Sequence, residues 1–382
     1  MNFRRKSKLW INTKRESTLT SLDDQKYMAR ALRLAERGRY STHPNPCVGC
    51  VIVREGKIVG EGYHVMAGKG HAEANALREA GELAKESTVY VTLEPCSFEG
   101  RTPSCADALI KAGVSRVVAA LKDPDHRNAG KGFSKLKQAG IAVDIQPSES
   151  AVTLVKGHLK RHIEGKPFIR LKLAMSLDGK TALNNGLSKW ITSEAARADV
   201  QKLRAQSSAI VTGVQTVIDD DPSLKVRAGL PGVDHRADAV NLVRPVYILD
   251  SNLRIPLDSQ LLENRNTVIV CIERTRQLHH QHEVIEIQSD QGRVCLNSLV
   301  KLLAKREHSE VLFECGATLG GAMIAAGLVD ELVIYAAPIL IGAGGRSLIS
   351  LPEIDRMADR INLTVNEVRM VGEDLRITAK PS

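Results

Sequence analysis

The 382-residue sequence is poor in aromatic residues, with two Trp, six Tyr and five Phe, 3% of the chain. So few rings offer no evident platform on which bases could stack. No apolar run approaches the roughly 18 residues of a membrane span. There is no low-complexity tract and no internal repeat. The basic start is followed only by Leu9-Trp10-Ile11, well short of the apolar core of about 7–15 residues in a secretory signal. The seven cysteines (47, 50, 96, 105, 271, 295 and 315) are odd in number, which argues against a disulfide framework. A reducing, cytoplasmic setting is expected, where clustered Cys and His suggest a metal.

What is present is ordinary globular composition, 43% hydrophobic and 25% charged, which excludes a disordered, collagenous or coiled-coil chain. At roughly 150 residues per domain the length predicts two domains. The formal net charge is +9, but residues 1–20 hold six basic side chains against Glu16 alone, a net of +5, which leaves +4 on the rest. Residues 1–20 lack periodicity and read as a disordered basic tail.

Structure is expected from Ser21-Leu22-Asp23-Asp24, a capping-box-like start, with Met28, Ala31, Leu32 and Ala35 at helical spacing up to Gly38. A hairpin is expected around Glu55-Gly56. Helices near 72–85, 105–112 and up to Gly140 then alternate with strands at 89–93, 117–121 and 141–145, and Ser148 caps a helix reaching about Ile163. This alternation predicts a mostly parallel sheet covered by helices. Glu164-Gly165-Lys166-Pro167 breaks the pattern, giving domains 21–165 and 166–382. The second domain alternates again. Strands are expected at 168–175, 209–212, 246–250, 267–271, 311–314 and 332–337, a helix at 193–206, a hairpin turn at Asp178-Gly179, and loops at 229–242 and 342–345.

The strongest chemical signal is His71-Ala72-Glu73 followed by Pro95-Cys96 and Cys105. Catalytic zinc takes three protein ligands and leaves the fourth position for water. His71, Cys96 and Cys105 supply three, and Glu73, two residues from a ligand, is placed to carry protons. Both motifs fall at expected helix starts, whose positive end favours a thiolate at Cys96. A structural zinc site would be closed by a fourth ligand and would leave Glu73 unexplained. Cys47 and Cys50 in Pro-Cys-x2-Cys are an alternative pair, but they precede His71 and run into a strand. They also read as small buried residues.

This set resembles the cytidine-deaminase superfamily signature, His-x-Glu then Pro-Cys-x2-Cys, with one departure, the spacing Cys96-x8-Cys105. The segment from Cys96 to Cys105, with His43-Pro44-Asn45-Pro46 and Val48-Gly49-Cys50-Val51, is similar to the bifunctional riboflavin-pathway deaminase/reductase family over about residues 22–380. The resemblance implies a cytidine-deaminase-like α/β/α domain with zinc, followed by a dihydrofolate-reductase-like α/β domain using NADPH. The implied reactions are hydrolytic deamination of a phosphoribosylaminated diaminopyrimidinone and reduction of its ribose to ribityl. By the same resemblance Asn45 holds the pyrimidine.

In the second domain, a glycine-rich stretch after Val311-Leu312-Phe313-Glu314 turns from strand to helix and exposes N–H groups suited to a phosphate. It is not a Gly-x-Gly-x-x-Gly fingerprint, and a tight packing turn is an equal reading of it. The resemblance implies cofactor contacts at Gly316, Ala317, Thr318, Leu319, Gly320, Gly321 and Ala322, and also at Ala174, Trp190, Thr216, Asp220 and Ser251. It implies substrate contacts at Ser188, Arg204, Leu224, Arg227 and Glu314, the arginines being apt for a ribose phosphate. Two other functions fit parts of the sequence, a base deaminase acting on tRNA and an inactive nucleotide-binding regulatory protein. The second domain speaks against the first and the intact metal motif against the other. A small phosphorylated pyrimidine, no nucleic acid or membrane partner, and a homo-oligomer are expected.

Overall fold

The computed structural model describes residues 21–100, 103–227, 243–275 and 282–382. The expected basic tail and the 229–242 loop lie outside them. The chain divides into two compact units between Gly165 and Lys166. Among the described residues no helix is long and apolar enough to cross a membrane.

The first unit opens with α1 (Leu22–Glu36), where the Ser21 side chain accepts from the Asp24 N–H. Strands β1 (Gly49–Arg54) and β2 (Lys57–Tyr63) form the expected hairpin. Then come α2 (Ala72–Ala80), β3 (Thr88–Val91), α3 (Cys105–Lys111), β4 (Arg116–Ala119), α4 (Lys131–Gln138) and β5 (Ala142–Ile145). The unit ends with α5 (Glu149–Leu154) and α6 (Lys156–Glu164). The sheet order is β2-β1-β3-β4-β5. Only β3-β4-β5 is parallel, because the β1–β2 hairpin enters antiparallel. Alternate strand residues feed two cores, as strand periodicity requires. Ile52, Val89 and Val117 pack with α2, α3 and α4, and Val51, Tyr90 and Val118 pack with α1 and α6.

Two helix expectations need correction. The helix from Ser148 is broken at Val155 (φ −116°, ψ 21°), in a stretch where β-branched Val152, Thr153 and Val155 precede Gly157, all weak helix formers. The helix after His71 stops at Ala80, since Gly81 has φ +53°, and a 3-10 turn finishes it.

Asp24 is a buried polar anchor. It accepts from Tyr90 Oη at 2.7 Å, Arg116 Nη1 at 2.8 Å and Gln146 Nε2 at 3.3 Å. The Arg116 hydrogen bond, against burial, holds its carboxyl down at about 2. Since the folded value lies below the ordinary one, this stabilisation is full above about pH 4 and is lost as pH falls toward 2. Asp24→Ala is predicted to destabilise the first unit by about 2–3 kcal/mol at neutral pH. Urea titration reads this directly, and an unchanged midpoint would refute it.

The second unit runs β6 (Phe168–Ser176), β7 (Lys180–Ala182), α7 (Glu194–Gln206), β8 (Ala209–Gly213), α8 (Val214–Asp220), β9 (Val246–Leu249) and β10 (Thr267–Cys271). It continues with β11 (Glu283–Glu286), β12 (Ser289–Asp290), β13 (Arg293–Val294), α9 (Leu296–Lys305), β14 (Glu310–Glu314), α10 (Ala317–Ala325) and β15 (Glu331–Ala337). The last strands are β16 (Arg346–Ser347), β17 (Leu363–Val371) and β18 (Asp374–Pro381). Nine of these strands form one sheet, β11-β10-β9-β8-β14-β6-β15-β18-β17. It is parallel from β11 to β15, and the C-terminal β17–β18 hairpin adds antiparallel to β15. Asp178-Gly179 is a turn but closes no hairpin, because β7 pairs with β16 rather than β6. The Asp178 carboxylate instead accepts from the N–H groups of Ile341 and Gly342, which ties the turn to a loop far along the chain.

Candidate functional site

Small residues bring the metal motif to the sheet. A Cβ at Gly62 would lie 2.3 Å from the Ala72 carbonyl oxygen, and one at Gly60 2.3 Å from that of Ala76. Only glycines on β2 let α2 lie this close, and its buried face is correspondingly Ala72, Ala76 and Ala80. His71 is the N-cap of α2 and Glu73 lies in its first turn, buried to 3% exposure. Cys105 is the first residue of α3. Cys96 is not at a helix start as expected but in the loop after β3. The helix end still reaches it, through the Cys105 N–H, which donates to Cys96 Sγ at 3.2 Å.

The three ligand atoms converge. His71 Nδ1 is 3.7 Å from Cys96 Sγ and 3.3 Å from Cys105 Sγ, and all three lie within 4.8 Å of one another. A tetrahedral zinc with ordinary bond lengths needs N···S separations of roughly 3.6 Å. The donor set and its spacing therefore fit zinc. Cys47 and Cys50 are buried and are not in this cluster. A hydrogen bond with the Cys105 thiol, opposed by burial and helped by His71, holds the Cys96 thiol down at about 5. Burial pushes the Glu73 carboxyl above its usual value.

Asn45 stands beside this cluster through a residue the sequence reading missed. His64, 2% exposed, has Nε2 3.0 Å from Asn45 Nδ2 and Nδ1 3.2 Å from the Gly70 carbonyl. Its ring stacks edge-on to His71 at 5.3 Å. The Gly70 oxygen can only accept, so Nδ1 carries the proton and Nε2 accepts from the Asn45 amide. Burial holds His64 at about 4, consistent with this neutral ring. Its only signal in the sequence was a histidine just past the end of a strand.

In the second unit the candidate residues gather at the carboxyl edge of the parallel strands, where such sheets bind ligands. Glu314 ends β14 and takes Arg204 of α7 in a two-pronged ion pair, Nε–Oε1 2.5 Å and Nη2–Oε2 3.0 Å. Arg204 Nη1 also reaches the Lys225 carbonyl, and the Arg227 N–H donates to Gln201 on α7, so both arginines sit by one helix. Burial opposes ionisation of Glu314, but Arg204 and Lys172 outweigh it and its carboxyl lies below the usual range. Lys172, Glu314's neighbour across the β6–β14 pairing, was also missed. Burial pushes its amine down, with Glu314 opposing. Its signal was a second cation, after Arg170, alternating with Ile169, Leu171 and Leu173 in a strand expected to be buried.

The remaining candidates divide by how open they are. Gly316 caps α10 without a side-chain bond, and a Cβ there would meet only Thr216 Oγ1, at 3.9 Å. Ala317, Thr318 and Leu319 form the first turn beside it, so free amide groups and Thr216 share one recess that fits a cofactor phosphate. Gly320 and Gly321 are buried instead: a Cβ would lie 3.6 Å from the Leu171 and Leu173 side chains at Gly320, and 1.9 Å from the Ser350 carbonyl oxygen at Gly321. Packing demands a glycine at 321, whereas a Cβ at 320 would meet only ordinary contacts, and Ala322 follows them in the helix. Ala174 lies near the end of β6, opposite Tyr335. Ser188 Oγ donates to Asp220 at 2.9 Å, and exposed Trp190 carries the Arg197 guanidinium 4.5 Å above its ring. Leu224 packs its side chain into the core at φ +46°, which leaves only its backbone for a ligand. Ser251 Oγ accepts from the Val294 N–H.

Comparisons with known proteins place both units. Residues 21–121 match the cytidine and deoxycytidylate deaminase zinc-binding region, and residues 167–377 match the RibD C-terminal domain. Fold and site thus define a zinc-dependent deaminase joined to an NADPH-dependent reductase. The riboflavin biosynthesis protein RibD of Escherichia coli is 48% identical over 93% of this chain and 98% of its own, and that of Haemophilus influenzae is 46% identical over 94% and 98%. The structure of Acinetobacter baumannii RibD superposes with a TM-score of 0.87 at 43% identity, covering 94% of this chain and 99% of that one. The chain belongs to the RibD family, the bifunctional deaminase/reductases of riboflavin biosynthesis.

Proposed function

We propose that the first unit deaminates 2,5-diamino-6-(5-phosphoribosylamino)pyrimidin-4-one and that the second reduces the ribose of the product to ribityl phosphate. The convergence of His71, Cys96 and Cys105 beside buried Glu73 carries this reading. A structure from Thermotoga maritima described as a diaminohydroxyphosphoribosylaminopyrimidine deaminase and 5-amino-6-(5-phosphoribosylamino)uracil reductase, 27% identical with a TM-score of 0.83, supports it.

In this reading His71, Cys96 and Cys105 hold zinc, which when bound activates the attacking water. The Glu73 carboxylate would take one proton of the water and pass it to the ring nitrogen, then take the proton of the added hydroxyl and pass it to the amine, which leaves as ammonia while the C=O bond forms. Asn45 orients the pyrimidine. NADPH, when bound, supplies hydride to the ribose carbon beside the amine. The α10 first turn, Thr216, Asp220, Ala174, Trp190 and Ser251 line up the cofactor, while Arg204, Arg227, Glu314, Ser188 and the Leu224 backbone hold the sugar phosphate.

A coupled assay with the diaminopyrimidine, with and without NADPH, tests the reading: ammonia release without NADPH oxidation on adding cofactor would overturn the second half. Cys105→Ser is predicted to lose stoichiometric zinc by elemental analysis. Full zinc retention would return the ligand role to Cys47 and Cys50. A +4 balance outside the tail suits anionic small molecules as well as nucleic acid, so no nucleic-acid partner is invoked. All seven cysteines are free, in keeping with a cytoplasmic enzyme. A homo-oligomer fits β17, the sheet's edge strand, which exposes Val365, Val368 and Met370.

A further inference from the structure

Cys96 lies in a loop, so something other than regular backbone bonding must fix it. One side is held by α3: the Ala106 N–H and Ser104 Oγ both donate to the Cys96 carbonyl, at 3.0 and 3.1 Å. The other side faces the β4–α4 loop. There Asn128, with no exposed surface, places its amide between the two flanking residues of Cys96. Its Oδ1 accepts from the Ser97 N–H at 3.0 Å, and its Nδ2 donates to the Pro95 carbonyl at 3.4 Å. Nδ2 also reaches Asp123 Oδ2 at 3.3 Å.

The loop carrying Asn128 is itself pinned. Buried Glu94 accepts from the N–H groups of Asp123, Gly130 and Phe133 at 3.1, 3.0 and 3.2 Å. Asp123 Oδ1 meets His158 Nε2 of α6 at 2.9 Å. A Cβ at residue 132 would stand 2.0 Å from the Pro95 carbonyl oxygen, so Gly132 is required for the loop to come this close. None of these groups is a candidate ligand, yet together they leave the Pro95–Ser97 backbone little freedom.

We propose that Asn128 is a positioning residue for the metal centre, acting through the Pro95–Ser97 backbone to hold the Cys96 sulfur. The proposal rests on the assignment of His71, Cys96 and Cys105 as zinc ligands. Outer groups that orient a ligand typically shift metal affinity by about 10- to 100-fold when removed. Alanine at 128 would leave the Ser97 N–H and the Pro95 carbonyl buried without their side-chain partner, and aspartate would keep the acceptor for Ser97 while losing the donor to Pro95.

The test is zinc affinity of the full chain, by competition with a chromophoric chelator, together with the thiolate-to-cobalt absorption of the cobalt-substituted protein. Asn128→Ala is expected to bind zinc about 10- to 100-fold more weakly and to show an altered cobalt spectrum. Asn128→Asp, whose second oxygen would face the Pro95 carbonyl and the Asp123 carboxylate in place of Nδ2, is expected to bind zinc at least as weakly as Asn128→Ala. Lys131→Ala, at the exposed start of α4 beside that loop, is expected to match the unmodified protein, and reductase turnover on the deaminated substrate reports an intact second unit. Unmodified affinity and spectrum in Asn128→Ala overturn the proposal. If that variant does not fold, unmodified affinity in Asn128→Asp overturns it. Failure of the unmodified chain to bind zinc, or retention of zinc by Cys105→Ser, instead overturns the ligand assignment beneath it.

Discussion

Glu73→Gln is expected to lower deamination by roughly 100- to 10,000-fold, the usual contribution of a positioned acid–base group, while stoichiometric zinc is retained. The amide matches the carboxylate in size and keeps an acceptor oxygen, but it cannot carry a proton. Glu73 is 3% exposed and two residues from His71, so no bulk water stands ready to replace it. Burial raises its carboxyl above the usual value, which favours its holding a proton between taking it and giving it up. Ammonia release measures the first activity. NADPH oxidation on the deaminated pyrimidine measures the second and should be unchanged. Near-normal deamination by this variant would remove Glu73 from its assigned role.

Glu314→Gln is expected to have the largest effect on the reductase. Arg204 and Lys172, both half-buried, face this one buried carboxylate, and removing it takes away the ion-pair partner of Arg204 and the nearest counter-charge of Lys172. Breaking a buried pair from one side costs about 3–5 kcal/mol, so the urea midpoint of the second unit should fall clearly. The reductase kcat/KM should fall as well, by about 100-fold or more, if each such hydrogen bond to a charged group in the transition state is worth roughly 1.5–3 kcal/mol. Deamination should persist. Unchanged reductase kinetics in folded protein would count against any substrate role for Glu314.

How much of this was legible in the sequence depends on how far apart the cooperating residues lie. His71, Ala72 and Glu73 share one helix start, and Cys105 opens the next helix, so local spacing was enough to suggest a metal. The strand–helix alternation was readable for the same reason, since each element carries its own period. His64 was not readable, because its meaning comes from Asn45 and Gly70, on loops either side of the β1–β2 hairpin. Lys172 acquires its partner only when β14, about 140 residues later, pairs with β6. The β17–β18 hairpin was missed because Asn366, Glu367 and Arg369 dilute any apolar alternation in an exposed edge strand. The Asp178 turn was misread as a hairpin because β7 takes its partner, β16, more than 160 residues away. The glycine-rich turn has both characters along its length: space around Gly316 is open, and Gly321 is closed against the Ser350 carbonyl.

The hydrogen-bond chain from Gly70 through His64 to Asn45 has a polarity, and it starts at a backbone oxygen that cannot be reversed. A carbonyl fixes the proton on Nδ1, the bare Nε2 fixes the amide NH2 end of Asn45, and the amide oxygen is thereby turned to the other side. If Asn45 holds the pyrimidine as proposed, it does so with an amide whose oxygen and nitrogen ends have already been told apart by the Gly70 carbonyl, a backbone atom that takes no part in the reaction.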